Sequence, residues 1–121
     1  MDEPTQQAEL AASLFRRLER GEETVFLEEV TVAEVVWTLR SFYHMPKQTI
    51  VETVLELLAA DSIQASDKQA LQVAIHFYNR LNSDFADGLI AAKALQDPEP
   101  SVYSFDRDFD RVPGLVRKEP R

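Results

Sequence analysis

Cysteine is absent from the 121-residue chain. That excludes a disulfide framework, a thiolate zinc site and a cysteine nucleophile. Histidine is scarce as well, with only His44 and His76. A histidine-rich metal site is therefore not built here, no Ser–His motif is visible, and both residues read as surface or partly packed. Long apolar runs are missing. Stretches such as Val35-Val36-Trp37 fall far short of the roughly 20 residues of a membrane-spanning helix. The opening Met1-Asp2-Glu3-Pro4 is acidic and lacks the apolar stretch of a signal peptide. A cytoplasmic home with no membrane contact is the expectation. Positive charge is in short supply: 13 Lys and Arg stand against 21 Asp and Glu, a net charge of -8. Such a chain is repelled by phosphate overall and cannot coat nucleic acid generally. Contact with nucleic acid requires a local basic patch or bound cations.

What is present is an ordinary folding composition. Hydrophobic residues make up 45% and charged residues 28%, which excludes an intrinsically disordered chain. The length suits one domain over residues 1–121 with a single core. No repeat, low-complexity tract or linker interrupts it.

Periodicity predicts the elements. Residues 5–20 read as a helix, with Ala11, Leu14, Phe15 and Leu18 on one face and Gly21 at its end. Residues 24–28 read as a short buried strand. A second helix opens at Thr31-Val32-Ala33-Glu34, with Val32, Val35, Val36, Leu39, Phe42 and Tyr43 inward and Trp37 in the core. Met45-Pro46 breaks it. A third helix covers 47–60. Residues 62–65 form a weak strand candidate. Ser66 and Gln69 have capping-box spacing before a fourth helix carrying Leu71, Ile75, Tyr78 and Leu81. A fifth helix covers 85–96 and is capped by Ser83 or Asp84. Then come a strand at 102–105, an acidic loop from Asp106 to Asp110, a last short strand at 114–117 and a frayed tail from Lys118 to Arg121. Strands alternating with helices predict an α/β fold with a mainly parallel sheet.

Acidic residues fall at the strand ends and helix starts of that scheme. Glu34 lies one turn into the second helix. Asp84 and Asp87 are spaced i, i+3 and share a helix face. Asp106 follows a strand directly, with Asp108 and Asp110 at alternate positions beyond. In open parallel sheets, ligands bind outside the carboxyl ends of the strands. Glu34, Asp87 and Asp106 can meet there. Converging carboxylates repel and require a cation, and oxygen donors suit Mg²⁺ or Mn²⁺. Phosphodiester hydrolysis by a metal-activated water is the natural chemistry of such a site. Plainer roles remain open on spacing alone: a capping box of Thr31 with Glu34, helix-dipole acids at Asp84 and Asp87, and a solvated turn at 106–110.

Three segments carry a resemblance. They are Val30-Thr-Val-Ala-Glu34-Val-Val-Trp-Thr-Leu39, Asp84-Phe-Ala-Asp87-Gly-Leu-Ile-Ala-Ala92 and Ser104-Phe-Asp106-Arg-Asp108-Phe-Asp110. In this order they resemble the motifs of the PIN-domain family and, within it, the VapC-like toxins of toxin–antitoxin pairs. The resemblance spans essentially the whole chain. It implies a three-layer α/β/α sandwich around a parallel sheet. It also implies a metal-dependent endoribonuclease with Mg²⁺ or Mn²⁺ held by Glu34, Asp87 and Asp106. Asp84 and Asp108 would support these, and Ser104 would orient the Asp106 carboxylate or a water. Arg107, Arg111 and the face formed by Arg16, Arg17 and Arg20 are candidate RNA contacts. An RNA substrate, a homodimer and an antitoxin that inserts a basic side chain into the acidic pocket are the implied partners.

One departure qualifies this. The family's first strand, which ends in an Asp, has no counterpart here, and Asp2-Glu-Pro-Thr-Gln-Gln resembles the stretch just after it. Either the start lies upstream of Met1, or the chain is shortened. The expectation is a gap between strands and weak or no activity from this form. The alternative function is a non-catalytic PIN-like module that dimerises or binds an antitoxin.

Overall fold

A computed structural model describes residues 13, 16–18, 20–81 and 83–121. Most of the helix expected over 5–20 lies outside the described residues. Ser13 and Arg16 to Leu18 are helical, and Leu18 is buried.

The elements then run β1 (Val25–Phe26), α1 (Glu29–Ser41), α2 (Lys47–Ala59), β2 (Ile63–Gln64), α3 (Lys68–Leu81), α4 (Phe85–Ala94), β3 (Ser101–Tyr103), a 3₁₀ turn (Arg107–Arg111) and β4 (Val116–Lys118). α1 begins before Thr31, with Glu28 at its N-cap. Glu34 is therefore well inside the helix, and the capping box of Thr31 with Glu34 does not exist. The chain leaves α1 through His44, whose φ is 51°. It takes the left-handed position that glycine usually fills at a helix end, and Met45 N–H donates to Leu39 O at 2.9 Å. The start of α3 is also set differently from the expected Ser66 cap. Asp67 Oδ1 accepts the N–H of Ala70 at 2.9 Å.

All the strand pairing is parallel, in two separate pairs. Val25 and Phe26 lie opposite Ile63 and Gln64. Ser101, Val102 and Tyr103 lie opposite Val116, Arg117 and Lys118. Among the described residues no strand joins the two pairs. The expected acidic loop is instead a 3₁₀ turn, with Phe109 buried beneath it. Lys118 belongs to a strand rather than to a frayed tail, and Arg117 next to it bonds Asp110 Oδ1 through Nε at 2.9 Å.

Two apolar clusters hold these parts. The larger joins Val32 and Val36 of α1, Ile50, Val54 and Leu58 of α2, Leu71 and Ile75 of α3, and Phe85 of α4. The smaller joins Ala91 of α4 to Phe109, Val112 and Leu115. α4 belongs to both, so it couples the helical half to the β3–β4 half. α3 and α4 meet very closely at Gly88, where a Cβ would lie 2.9 Å from Ala74 O. The apolar stripe expected on α1 is only partly covered. Val32 and Val36 are buried, but Trp37 is 66% exposed, and Val35, Phe42 and Tyr43 are exposed too. Periodicity marks a face as apolar, and only packing decides whether another element covers it. No helix among the described residues is long and apolar enough to cross a membrane.

Candidate active site

The end of β3 supplies the first part of the site. Ser104 Oγ accepts the backbone N–H of Asp106 at 3.0 Å. Asp106 Oδ1 then accepts the N–H of Asp108 at 2.9 Å, capping the 3₁₀ turn. Ser104 thus holds the backbone at Asp106 rather than its carboxylate. Asp108 Oδ1 accepts a bond from Arg111 Nη2 at 2.9 Å. Asp110 faces away into its pair with Arg117.

The start of α4 supplies the second part. Asp84 occupies the N-cap position, yet its side chain makes no capping bond. Its carboxylate is therefore not tied up in a capping bond, although it remains in the field of the helix dipole. Asp87 lies in the first turn and is half-buried. Burial pushes its carboxyl above the ordinary range, and the charges of Asp84, Asp106 and Asp108 push it further the same way. Four carboxylates from two elements therefore share one field, although 19 residues separate Asp87 from Asp106. This rim is the electrostatic centre of the site. Work spent gathering like charges is a signature of function rather than of stability.

Glu34 is placed apart from them. It is exposed on α1 and is not among the charges that raise Asp87. It lines a shallow cavity with Val30, Ala33, Trp37 and Thr38. Ala33 and Trp37 also line the neighbouring cavity that contains Asp84. Glu34 and Asp84 thus flank the same two side chains.

The donor chemistry fits a divalent cation. Among the described residues no group of three or more Asp, Glu or His side chains converges into a metal cluster. Mg²⁺ does not need one: it is commonly held by one or two carboxylates, waters and substrate phosphate. The repulsion felt by Asp87 is what such an ion would relieve.

The basic candidates differ in availability. Arg17 bonds Glu23 Oε1 at 2.9 Å and Ser13 Oγ at 2.8 Å. Arg20 lies 4.0 Å from Glu22, and Arg111 is held by Asp108. Arg16 and Arg107 have no acidic partner among the described residues. Sequence reasoning passed over Arg40 and Tyr78, which line the Asp84 cavity together with Trp37. The i, i+3 spacing of Glu34, Trp37 and Arg40 along one helix was the available signal.

Parallel strand pairs linked by helices, with carboxylates gathered at a strand end and a helix start, define an α/β protein with an acidic functional rim. Residues 4–115 match the PIN domain family model, and the chain belongs to that family. It is similar to a VapC ribonuclease of Aquifex aeolicus (strain VF5), with 26% identity over 107 residues, covering 88% of this chain and 79% of the relative. No solved structure matches significantly.

Proposed function

We propose that the chain is a divalent-metal-dependent endoribonuclease, the toxin of a type II toxin–antitoxin pair, folded as one domain and acting in the cytoplasm. The observation that carries this reading is the half-buried Asp87 carboxyl, raised by burial and by Asp84, Asp106 and Asp108. A similar protein bears the name of a ribonuclease, which supports RNA as the substrate. In this reading Asp87 and Asp106 hold the ion, and Glu34, the third acid of the family motif, stands apart from them on α1. Asp84 and Asp108 deepen the negative field, and Ser104 keeps Asp106 in place. When bound, Mg²⁺ or Mn²⁺ supplies charge stabilisation at the phosphate and lowers the pKa of an attacking water. Arg107 serves the RNA backbone directly. Arg111 and the Arg16, Arg17 and Arg20 face serve it by exchanging acidic partners for phosphate.

The test is cleavage of a short RNA with Mn²⁺ and with EDTA, alongside Mn²⁺ titration calorimetry. Cleavage that stops in EDTA and in Asp87→Asn and Asp106→Asn is expected. Undiminished Mn²⁺ affinity in both variants removes the site assignment.

A second reading is a non-catalytic module that dimerises or binds an antitoxin. The exposed Trp37 on α1 and the exposed Phe42 and Tyr43 just after it favour it. An antitoxin's basic side chain would neutralise the acidic rim much as a cation does. A chain that binds no Mn²⁺ and cleaves no RNA, yet sediments as a dimer, would be this module.

A further inference from the structure

Lys93 and Glu29 join one end of two antiparallel helices. Lys93 Nζ lies 2.7 Å from Glu29 Oε1. Glu29 is in the first turn of α1 and Lys93 in the last turn of α4, so each charge complements its own helix dipole. Trp37 is eight residues further along α1, and Phe85 is eight residues back along α4. Both steps cover about 12 Å at 1.5 Å per residue. Both also end at one cleft, where Ala33, Val36 and Trp37 of α1 face Asp84, Phe85 and Ala86. Among the described residues this is the one ion pair that links α1 to α4. Glu29 Oε1 is closed to solvent, and the Lys93 ammonium is its one partner among the described residues. An enclosed carboxylate oxygen cannot fall back on water when its cation leaves. The bond to Glu29 first, and then the charges of Glu29 and Asp67, raise the Lys93 pKa. Asp67 Oδ2 also accepts from Gln96 Nε2 at 2.7 Å. The last turn of α4 is therefore tied to the starts of both α1 and α3, while its first turn carries Asp87.

We propose that Lys93 is a positioning residue for the acidic rim: by holding Glu29 it fixes α1 against α4, and so sets where Glu34 stands relative to Asp84 and Asp87. Lys93 is six residues along α4 from Asp87, about 9 Å. It therefore acts through α1 rather than on anything bound at the rim. Glu34 is five residues beyond Glu29 on the same helix, about 8 Å, and a stiff helix carries a tilt at its first turn along its length. Val32 and Val36 keep α1 on the core, so loss of the pair re-aims the helix without releasing it. The step to Glu34 rests on the metal-dependent reading, whereas the hold on α1 does not.

The chain has no cysteine, so spin labels attach only where a cysteine is introduced. Ser41 on α1 and Ala86 on α4 are exposed and flank the cleft. Labels at Ser41→Cys and Ala86→Cys in the full chain, measured in EDTA, read the α1–α4 spacing without metal. Lys93→Gln is expected to move that distance by about 1–2 Å, and Glu29→Gln to move it as far. Lys93→Arg keeps the cation and should restore it. In the unlabelled chain, Lys93→Gln should weaken Mn²⁺ binding about 3- to 10-fold. Loss of a distant positive charge alone would strengthen Mn²⁺ binding, so the sign separates positioning from plain electrostatics. Added to Glu34→Gln, Lys93→Gln should weaken it no further. An unmoved distance in both Lys93→Gln and Glu29→Gln overturns the proposal, and Glu29→Gln decides alone if Lys93→Gln fails to fold. Mn²⁺ binding that is unchanged or tighter in Lys93→Gln overturns it too, as does a further loss in the Glu34→Gln background. A distance that moves in a chain that binds no Mn²⁺ defeats the metal-dependent reading and leaves the hold on α1 standing. Mn²⁺ binding with an unmoved distance does the reverse.

Discussion

Asp106 accepts the backbone N–H of Asp108 through Oδ1 at 2.9 Å, and the same carboxylate helps raise the pKa of Asp87. One side chain thus caps a turn and charges a site. The two roles separate by substitution. Asp106→Asn keeps an acceptor oxygen and loses the charge, so its stability should stay within about 0.5 kcal/mol of the parent while Mn²⁺ binding is lost. Asp106→Ala loses both and should cost about 1 kcal/mol more, as lost caps do. Urea unfolding of the two variants measures the difference.

Asp87 sits where its surroundings disfavour its charge. Its carboxyl is raised by burial first and by three neighbouring acids after that. A raised acid favours the folded state below its unfolded pKa. That advantage disappears as pH rises through the folded value, leaving the charge a burden at neutral pH. Asp87→Asn should therefore melt at the same temperature as the parent or higher, while losing activity. Mn²⁺ should raise the melting temperature of the parent and not of the variant. A variant that melts well below the parent would show Asp87 to be structural.

Asp67 behaves in the opposite way. The Gln96 side-chain amide at 2.7 Å and the Ala70 N–H at 2.9 Å hold its carboxyl below the usual range. A depressed acid contributes stability that is fully present above its unfolded pKa, about 4. The contribution falls away as pH drops through that value and on through the folded one. Asp67→Asn should be less stable than the parent at pH 7, and the gap should close as pH falls below the ordinary carboxylate range. The bond to Gln96 is exposed, so solvent screening keeps the effect modest. Denaturation at several pH values checks the sign.

Gly88 governs the closest helix contact. A methyl there would meet Ala74 O at 2.9 Å and Phe77 Cβ at 3.4 Å. Alanine is the better helix former by roughly 1 kcal/mol, but a backbone carbonyl cannot move aside as a flexible side-chain end can. Gly88→Ala should lose about 1–3 kcal/mol. Because α4 carries Asp84 and Asp87 as well as core residues of both clusters, Mn²⁺ affinity should fall with it. Thermal melting and Mn²⁺ titration of the same variant test the coupling.

Much of this was legible residue by residue. The span of α2 followed from its 3.6-residue apolar period and from Pro46 before it, and it ends at Ala59 where 60 was expected. The acids at 84 and 87 share a face by spacing alone, and both lie at the start of α4 as read. The start of α3 was misread because Ser66 and Gln69 carry the spacing of a capping box while Asp67 makes the bond. Neighbouring polar side chains compete for the same orphan amides, and spacing cannot say which prevails. The aromatic stripe of α1 was misread for another reason. Phe42 and Tyr43 continue the apolar period of the helix and Trp37 was expected in the core, but all three are exposed.

Order along the chain was thus enough to determine which helix positions are apolar, the parallel pairing and the family, because these depend on local periodicity and on motifs read in sequence. Which acids share a field was decided by tertiary structure. Asp87 and Asp106 come under one influence because α4 packs into both apolar clusters and carries its first turn to the end of β3, while Glu34 rides on a different helix face.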